Sequence, residues 1–287
     1  MTPNNPTIRM GRIDFTNVWP LFYYFPFESF GDQLEVFQQV PTQLNKAMAE
    51  GRIDIGPISS FAYAEHAEDY LLFPHMSVSA FQHVHSLLLF HRKPLAELEG
   101  STIALPTTSA TTVNLLKIIL AKYYRVNVHY VYEEPNLDTM MNKADAGLLI
   151  GDHAIKASWE DRGYLVTDLG AEWTRLTGHW MSFAVCTIRK QVAREQPELV
   201  ADIYKAFLES KRKSLADLTS LVNDAQRLIG GSREYWHDYF SNLSYEFGPK
   251  QWEGLQLYYR YAVELGFLKH EVQLQIWQDN SVAQVTE

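Results

Sequence analysis

Short apolar segments alternate with helical patterns through most of this chain, and this alternation constrains its fold more than any other feature. Residues 86–90 and 146–150 are nearly continuous apolar runs, which are typical of strands buried on both faces of a sheet. Between them, Val113, Leu116 and Leu120 recur at helical spacing. Such alternation predicts an α/β fold in which helices cover parallel sheets.

The alternation occurs twice, which predicts two α/β lobes with a ligand cleft between them. A polar, proline-bearing stretch at residues 91–94 separates the two units, and the apolar run at 183–188 is consistent with a return crossing. Residues 197–268 are mostly helical by their periodicity, but periodicity does not show which lobe these helices join.

Composition and charge exclude several classes of function. The 287 residues carry a net charge of −9, which argues against nucleic acid as the main partner. The single cysteine, Cys186, excludes an intramolecular disulfide and a cysteine-based zinc site. No apolar run reaches about 18 residues, so we expect no transmembrane helix and no membrane partner. The polar N-terminus lacks a secretory signal pattern, so we expect a cytoplasmic protein.

The common cofactor and hydrolase motifs are absent from the sequence. It contains no G-x-x-x-x-G-K-[ST] loop and no G-x-G-x-x-G turn, so neither ATP nor NAD is indicated. It also lacks H-E-x-x-H and G-x-S-x-G. His83, His85 and His91 would share a face on a strand and could bind a metal, but surface or cleft histidines are the favoured interpretation. We therefore expect no metal and no cofactor.

Three polar loops follow predicted strands, at the position where open α/β sheets bind ligands. They comprise Thr16 with Asn17, Ser59 with Ser60, and the run Thr107, Thr108, Ser109, Ala110, Thr111 and Thr112. The last loop places five hydroxyls at the start of a helix, where free N–H groups and the helix dipole favour an anion. The alternative is that Thr108 or Ser109 only caps that helix.

Each of the other candidate residues could contact a ligand or could have a structural role only. Ser59 and Ser60 could cap the helix they precede, and Asn17 could be a turn residue. Ser86, at the head of an apolar strand, could bond to the backbone. Asp152 could orient a ligand or cap its loop. Cys186 lies in an apolar run, which predicts a packed core thiol.

Six longer stretches are specific through their order and spacing. They are RMGRIDFTNVWPL at 9–21, GRIDIGPISSFAYA at 51–64, HSLLLF at 85–90, LEGSTIALPTTSATTVNLL at 98–116, AGLLIGDHA at 146–154 and DLGAEWTRLTGHWMSFAV at 168–185. Together they resemble the menaquinone-biosynthesis family of the futalosine route, in particular its chorismate dehydratases. The resemblance covers residues 9 to about 190, and the rest matches only as a generic helical region.

The resemblance implies a two-lobed type II periplasmic-binding-protein-like fold without periplasmic export, with a ligand between the lobes. Two crossings form the hinge. We accordingly expect residues 1–91 and 186–287 to form one lobe and residues 92–185 to form the other. An oligomer is possible but not indicated.

The resemblance also implies residue roles. Asn17 and Ser86 match positions associated with catalysis in the family, Thr107 to Thr111 match its loop for a ligand carboxylate, and Ser59 with Ser60 match the facing loop. Two departures concern the shape of the pocket. Residues 81–84 lack an expected glycine, and Cys186 stands where a Trp is expected.

The implied reaction is the elimination of water from chorismate, without a cofactor. Two other functions stay open. One is a binding or sensor protein of the same fold, which would retain its ligand unchanged. The other is the sister enzyme 1,4-dihydroxy-6-naphthoate synthase, which would need a cleft histidine such as His153.

Overall fold

The computed structural model describes residues 7–279, which form two β-sheets with helices packed around them. The strands are β1 (Ile8–Ile13), β2 (Leu34–Gln39), β3 (Ile55–Ser59), β4 (Tyr70–Ala80), β5 (Leu87–His91), β6 (Thr102–Pro106), β7 (His129–Glu133), β8 (Ala146–Ile150), β9 (Leu165–Asp168), β10 (Met181–Arg189) and β11 (Leu243–Ser244). The helices are α1 (Trp19–Phe22), α2 (Pro41–Ala49), α3 (Ser60–Glu65), α4 (Ala110–Ile119), α5 (Leu137–Lys143), α6 (Gly151–Ser158), α7 (Leu169–Thr177), α8 (Lys190–Glu195), α9 (Pro197–Ala216), α10 (Thr219–Ile229), α11 (Arg233–Asn242) and α12 (Pro249–Glu264). Within residues 7–279, no helix is both long and apolar enough to cross a membrane.

The first sheet has six strands in the order β11-β4-β10-β3-β1-β2. Strand β1 runs parallel to β2 and β3, whereas β10 runs antiparallel to β3 and β4. The β1 and β3 backbones approach closely at Gly11 and Gly56. A Cβ atom on Gly56 would lie 2.4 Å from the Gly11 carbonyl oxygen, so this strand contact requires a glycine.

The second sheet has five strands in the order β7-β6-β8-β5-β9. Strand β6 runs parallel to β7 and β8, while β5 runs antiparallel to β8 and β9. The α/β fold predicted from the sequence is therefore confirmed. The sheets are mixed and not parallel throughout, because each sheet also includes antiparallel pairs.

The chain passes from the first sheet to the second between Ala80 and Leu87, and returns before Met181. We call residues 81–86 the first crossing and residues 178–180 the second crossing. These points differ from the predicted boundaries at residues 91 and 186: β5 pairs in the second sheet, and all of β10 pairs in the first. We use lobe 1 and lobe 2 for the parts of the chain around the six-stranded and five-stranded sheets.

The main apolar cluster extends through both lobes. It includes Ile8, Ile55 and Ile188 from the first sheet and Ile103 and Leu148 from the second. The last long helix, α12, packs against β10, α3 and α4, so it contacts elements on both sides of the crossings. A smaller cluster around Phe90 and Met140 forms a second apolar region in lobe 2.

Candidate active site

The carboxyl ends of the parallel strands in the two lobes face each other, and the predicted loops lie there. In lobe 1, Thr16 and Asn17 follow β1, and Ser60 follows β3. In lobe 2, Thr107 follows β6 and Gly151 follows β8. The neighbouring parallel strands end at one edge of each sheet, so their loops converge between the lobes. We call this region the interlobe site.

Two hydrogen-bonded contacts join the lobes at the interlobe site. The Thr16 hydroxyl donates to Asp152 Oδ1 over 2.6 Å. The Phe61 backbone N–H donates to Thr111 Oγ1 over 2.9 Å. Each contact joins a loop of lobe 1 to a loop of lobe 2, so the structure brings the predicted loops of both lobes together.

Asn17 lies in a 3₁₀ turn at Thr16–Val18, which begins shortly after the end of β1 at Ile13. Its side-chain oxygen Oδ1 is buried, and no group within residues 7–279 donates a hydrogen bond to it. A buried amide oxygen without a donor costs free energy, and such atoms in native proteins are often used by a ligand or water. This position is compatible with the predicted ligand contact.

Ser86 ends the first crossing and is 2% exposed. Its hydroxyl donates to the Val84 carbonyl over 3.3 Å, which is the backbone bond expected from the sequence. Its own carbonyl accepts from the Gly151 N–H over 2.7 Å. Ser86 is thus fixed next to the loop that contains Asp152.

Asp168 holds the crossing that presents Ser86. Its carboxylate accepts hydrogen bonds from the Val84 and His85 N–H groups, the second over 2.7 Å, and also from Gly170 and Ala171 at the start of α7. One carboxylate therefore caps a helix and fixes the crossing at the same time. The contact of Asp168 with the crossing could not be predicted from the sequence, because Val84 and His85 lie more than 80 residues away from it.

Ser59 and Ser60 make structural hydrogen bonds. Ser59 Oγ accepts from the Ala62 N–H at the start of α3 and from Asn45 Nδ2, over 3.2 and 3.0 Å. The Ser60 hydroxyl donates to the Ser182 carbonyl over 2.6 Å. The capping alternative is therefore observed for Ser59, and a contact of either residue with substrate stays a prediction.

In the loop before α4, one hydroxyl caps the helix and another forms a hydrogen bond to lobe 1. Ser109 Oγ accepts from the Thr112 N–H over 3.3 Å and donates to the Thr112 hydroxyl over 2.9 Å, so Ser109 caps the helix. Thr111 bonds to lobe 1, as described above. Thr107 is exposed, and Thr108 and Ala110 are half-buried. Carboxylate binding by this loop remains a prediction.

Asp152 is half-buried at the start of α6 and accepts the bond from Thr16. Burial raises the pKa of the Asp152 carboxyl above its ordinary value, and the hydrogen bonds from Thr16 oppose that shift. The next residue, His153, is exposed. Asp152 is therefore the acidic group of the interlobe site, and His153 lies on a solvent-facing part of α6.

The C-terminal third contributes a tyrosine that sequence reasoning missed. Tyr239 of α11 is 1% exposed, and its hydroxyl lies beside those of Ser86 and Thr16. The sequence signal was weak, because residues 235–240 resemble any buried aromatic helix face.

The histidines and the cysteine occupy other positions. The rings of His83 and His85 stack at 5.4 Å, but His91 lies at the far end of β5 and contacts the Lys93 carbonyl and Thr167 Oγ1. Across residues 7–279, no three histidine, cysteine or acidic side chains form a group that could hold a metal ion. Cys186 is buried, as predicted, and burial raises the pKa of its thiol to about 12.

Comparison with known proteins identifies the family. A family model described as menaquinone biosynthesis matches residues 8–264. The chain belongs to this menaquinone-biosynthesis family. The matched range includes all the loops of the interlobe site and helix α11. A chorismate dehydratase of Thermus thermophilus is 30% identical over 264 residues, which cover 87% of this chain and 93% of that protein.

Solved structures support the same fold. A protein of Archaeoglobus fulgidus is similar with a TM-score of 0.68 at 19% identity, covering 91% of this chain and 98% of that one. The periplasmic aliphatic sulphonate-binding protein of Escherichia coli gives a TM-score of 0.68 at 15% identity, covering 95% and 92%. A Candida albicans protein with the generic periplasmic-binding-protein fold gives 0.63 at 13% identity, covering 96% and 99%. This member of the menaquinone-biosynthesis family therefore has the two-lobed periplasmic-binding-protein-like fold.

Proposed function

We propose that this chain is a chorismate dehydratase, a carbon–oxygen lyase that converts chorismate to 3-[(1-carboxyvinyl)oxy]benzoate and water. The observation that carries the proposal is the 30% identity to the Thermus thermophilus enzyme across 93% of that enzyme's length. The interlobe site supports it with hydroxyl, amide and helix-start groups, which suit a dicarboxylate. We further propose that the enzyme acts in menaquinone biosynthesis and is cytoplasmic.

The reaction needs a proton acceptor and stabilisation of charge. The C3–H bond and the C4–O bond of the ring break, and the proton and hydroxide leave together as water while the ring becomes aromatic. Removing the C3 proton shifts electrons towards the ring carboxylate. Hydrogen-bond donors at that carboxylate lower the barrier as an oxyanion hole does, and each is worth about 2.7–4 kcal/mol in hydrolases.

We assign the donors around the start of α4, at Thr107 to Thr111, to a substrate carboxylate. A helix start supplies backbone N–H groups and the positive end of the helix dipole, so it can hold an anion without Lys or Arg. We assign Ser86 to a substrate carboxylate as well, and Asn17 to the enolpyruvyl arm or the leaving hydroxyl.

The base in this proposal is the enolpyruvyl carboxylate of the substrate itself. Asn17, Ser86 and the hydroxyl residues before α4 do not titrate near neutral pH, so they are poor general bases. Asp152 is the alternative base from the protein, and its raised pKa and position at the interlobe site make it the one to test. The exposed His153 gives no support to the sister naphthoate synthase.

Variants of the two proposed catalytic residues test the assignment. We expect Asn17→Ala and Ser86→Ala each to lower kcat for chorismate by about 100-fold, because each removes a group that contacts the transition state. Ser29→Ala, at an exposed serine in another part of lobe 1, serves as the matched control and should retain the kcat of the unmodified enzyme. A kcat unchanged in both site variants would refute these roles.

A further inference from the structure

Helix α11 packs directly against the first crossing, residues 81–86. Asn242 Nδ2 lies 3.4 Å from His85 Nε2, and the rings of Tyr235 and His85 are 6.5 Å apart. The strand that follows the helix, β11, pairs Leu243 with Ala80, the last residue before the crossing. The helix therefore covers the segment that presents Ser86 to the interlobe site.

One side chain of α11 reaches the interlobe site with a free polar atom. Tyr239 is 1% exposed, and its hydroxyl has no hydrogen-bond partner of ordinary geometry among residues 7–279. The hydroxyl nevertheless lies close to those of Ser86 and Thr16, with Asp152 nearby. A buried hydroxyl without a partner destabilises the fold, so a functional use would explain why this position carries Tyr instead of Phe.

The hydrogen-bonding capacities of Tyr239 and Ser86 are complementary. Burial raises the pKa of Tyr239, so its phenol stays protonated at neutral pH and can donate. Ser86 uses its own proton on the Val84 carbonyl over 3.3 Å, which is a long bond for a hydroxyl donor. The Ser86 oxygen retains lone pairs that can accept a hydrogen bond.

We propose that Tyr239 is a positioning residue for Ser86, donating a hydrogen bond to Ser86 Oγ while Ser86 turns its proton from Val84 to a substrate carboxylate. This role rests on the proposed dehydratase function. The resulting series of hydrogen bonds runs from the Tyr239 hydroxyl through the Ser86 hydroxyl to the substrate. In such a series each hydrogen bond polarises the next, so Ser86 becomes a stronger donor.

The variant Tyr239→Phe removes only the hydroxyl. With chorismate as substrate, we expect kcat to fall by about 10- to 100-fold, less than the effect of about 100- to 1000-fold for a direct oxyanion donor. The KM should change by less than about threefold, since Ser86 still contacts the substrate. The Tm should not fall, because the lost hydroxyl has no partner of ordinary geometry.

Tyr204→Phe is the matched control. Tyr204 is also buried in lobe 1, but its hydroxyl donates to the Pro74 carbonyl over 3.1 Å, away from the interlobe site. Removing that hydroxyl should lower the Tm and leave kcat unchanged. We therefore expect Tyr239→Phe to lower kcat without lowering the Tm, and Tyr204→Phe to lower the Tm without changing kcat.

A double variant distinguishes action through Ser86 from a general structural effect. In a Ser86→Ala background, Tyr239→Phe should lower kcat by less than about twofold, because the group it acts on is gone. If the double variant lost kcat by the product of the fold-decreases of the two single variants, the proposal would be wrong. An unchanged kcat in Tyr239→Phe alone would also overturn it. If the unmodified chain did not convert chorismate, the proposed function would fail together with this role, whereas conversion with an unaffected Tyr239→Phe would refute the role alone.

Discussion

At Asp152, burial and hydrogen bonding act in opposite directions on one carboxyl group. Burial raises its pKa above the ordinary value of 3.8, and the bonds from Thr16 lower it without cancelling the rise. A carboxyl with a raised pKa binds its proton more tightly in the folded protein than in the unfolded chain. Its contribution to stability is therefore complete at low pH and is lost as the pH rises from the ordinary pKa through the raised one.

Asp152→Asn should remove this pH-dependent loss. The side chain stays neutral and can still accept the bond from Thr16, so we expect a Tm at pH 7 equal to or above that of the unmodified protein. The difference between the two should shrink as the pH falls below the ordinary pKa of Asp. Thermal unfolding of both proteins from pH 3 to pH 8 measures the difference in Tm. If the Tm of the variant relative to the unmodified chain were lower at pH 7 than at pH 4, that result would contradict a raised pKa of Asp152.

The same variant separates the two candidate bases. If the substrate carboxylate takes the C3 proton, Asp152→Asn should retain turnover to within about tenfold, whereas loss of a general base costs about 100-fold or more. Complete loss of turnover with unchanged chorismate binding would assign the base to Asp152.

At the residue scale, the sequence predicted the loops better than their hydrogen bonds. Asn17 and Asp152 follow strands, and the ends of neighbouring strands converge, whereas Ser86 precedes β5 and was assigned to the site through the family resemblance. The cap formed by Ser109 was one of two open alternatives. Asp168 and Tyr239 were missed, because their importance depends on contacts across more than 80 residues with Val84 and across more than 150 with Ser86.

The first crossing adopts left-handed backbone conformations at two residues that are not glycine. The φ angles are 74° at Gln82 and 60° at His85. A side chain in this region costs about 1 kcal/mol, which is why glycine is common there. Residues 81–84 lack the expected glycine, and Gln82 adopts the left-handed conformation that a glycine would adopt there.

Substitutions at Gln82 should follow this backbone constraint. Gln82→Gly should leave the free energy of unfolding within about 1 kcal/mol, because lost strain offsets the entropy gained by the unfolded chain. Gln82→Val should lower it by about 1–3 kcal/mol, because a β-branched residue tolerates positive φ poorly. Denaturant unfolding measures both. Equal stability of the two variants would show that the crossing relaxes to another conformation.

At the element scale, the sequence predicted some of the strands and helices and missed others, among them the regular strand β2 and helix α7. The strands near residues 102–105 and 146–150 and the helix from Ala110 are present as predicted. Strand β4 was missed because it contains Pro74 and a register shift, with His75 at a φ of 58°. Strand direction was also missed, because a central antiparallel strand such as β5 has the same continuous apolar pattern as a parallel one.

At the scale of the whole molecule, the two lobes are in contact at the interlobe site. The bonds from Thr16 to Asp152 and from Phe61 to Thr111 join loops of both lobes, and the hydroxyl of Tyr258 in α12 donates to the Thr111 carbonyl over 3.1 Å. Contact between lobes removes water from reacting groups and restricts the substrate to one conformer. This matters for chorismate, which can also rearrange.

The two-lobed organisation was predictable, but the position of the hinge was not. The polar stretch at 91–94 looked like a linker, yet the chain changes sheets at residues 81–86. Pairing with β8 and β9 decides the lobe of β5, and this long-range contact leaves no local pattern.

Incubation of the purified chain with chorismate, followed by mass spectrometry, shows directly whether the chain dehydrates chorismate. A reaction without protein is the control, because chorismate decays unaided. We expect a product lighter than chorismate by one water, with a benzoate-type ultraviolet spectrum, to form far faster than in the control. The Ser86→Ala variant should form this product far more slowly than the unmodified chain. Chorismate that binds but persists as long as in the control would contradict the account and indicate a binding protein.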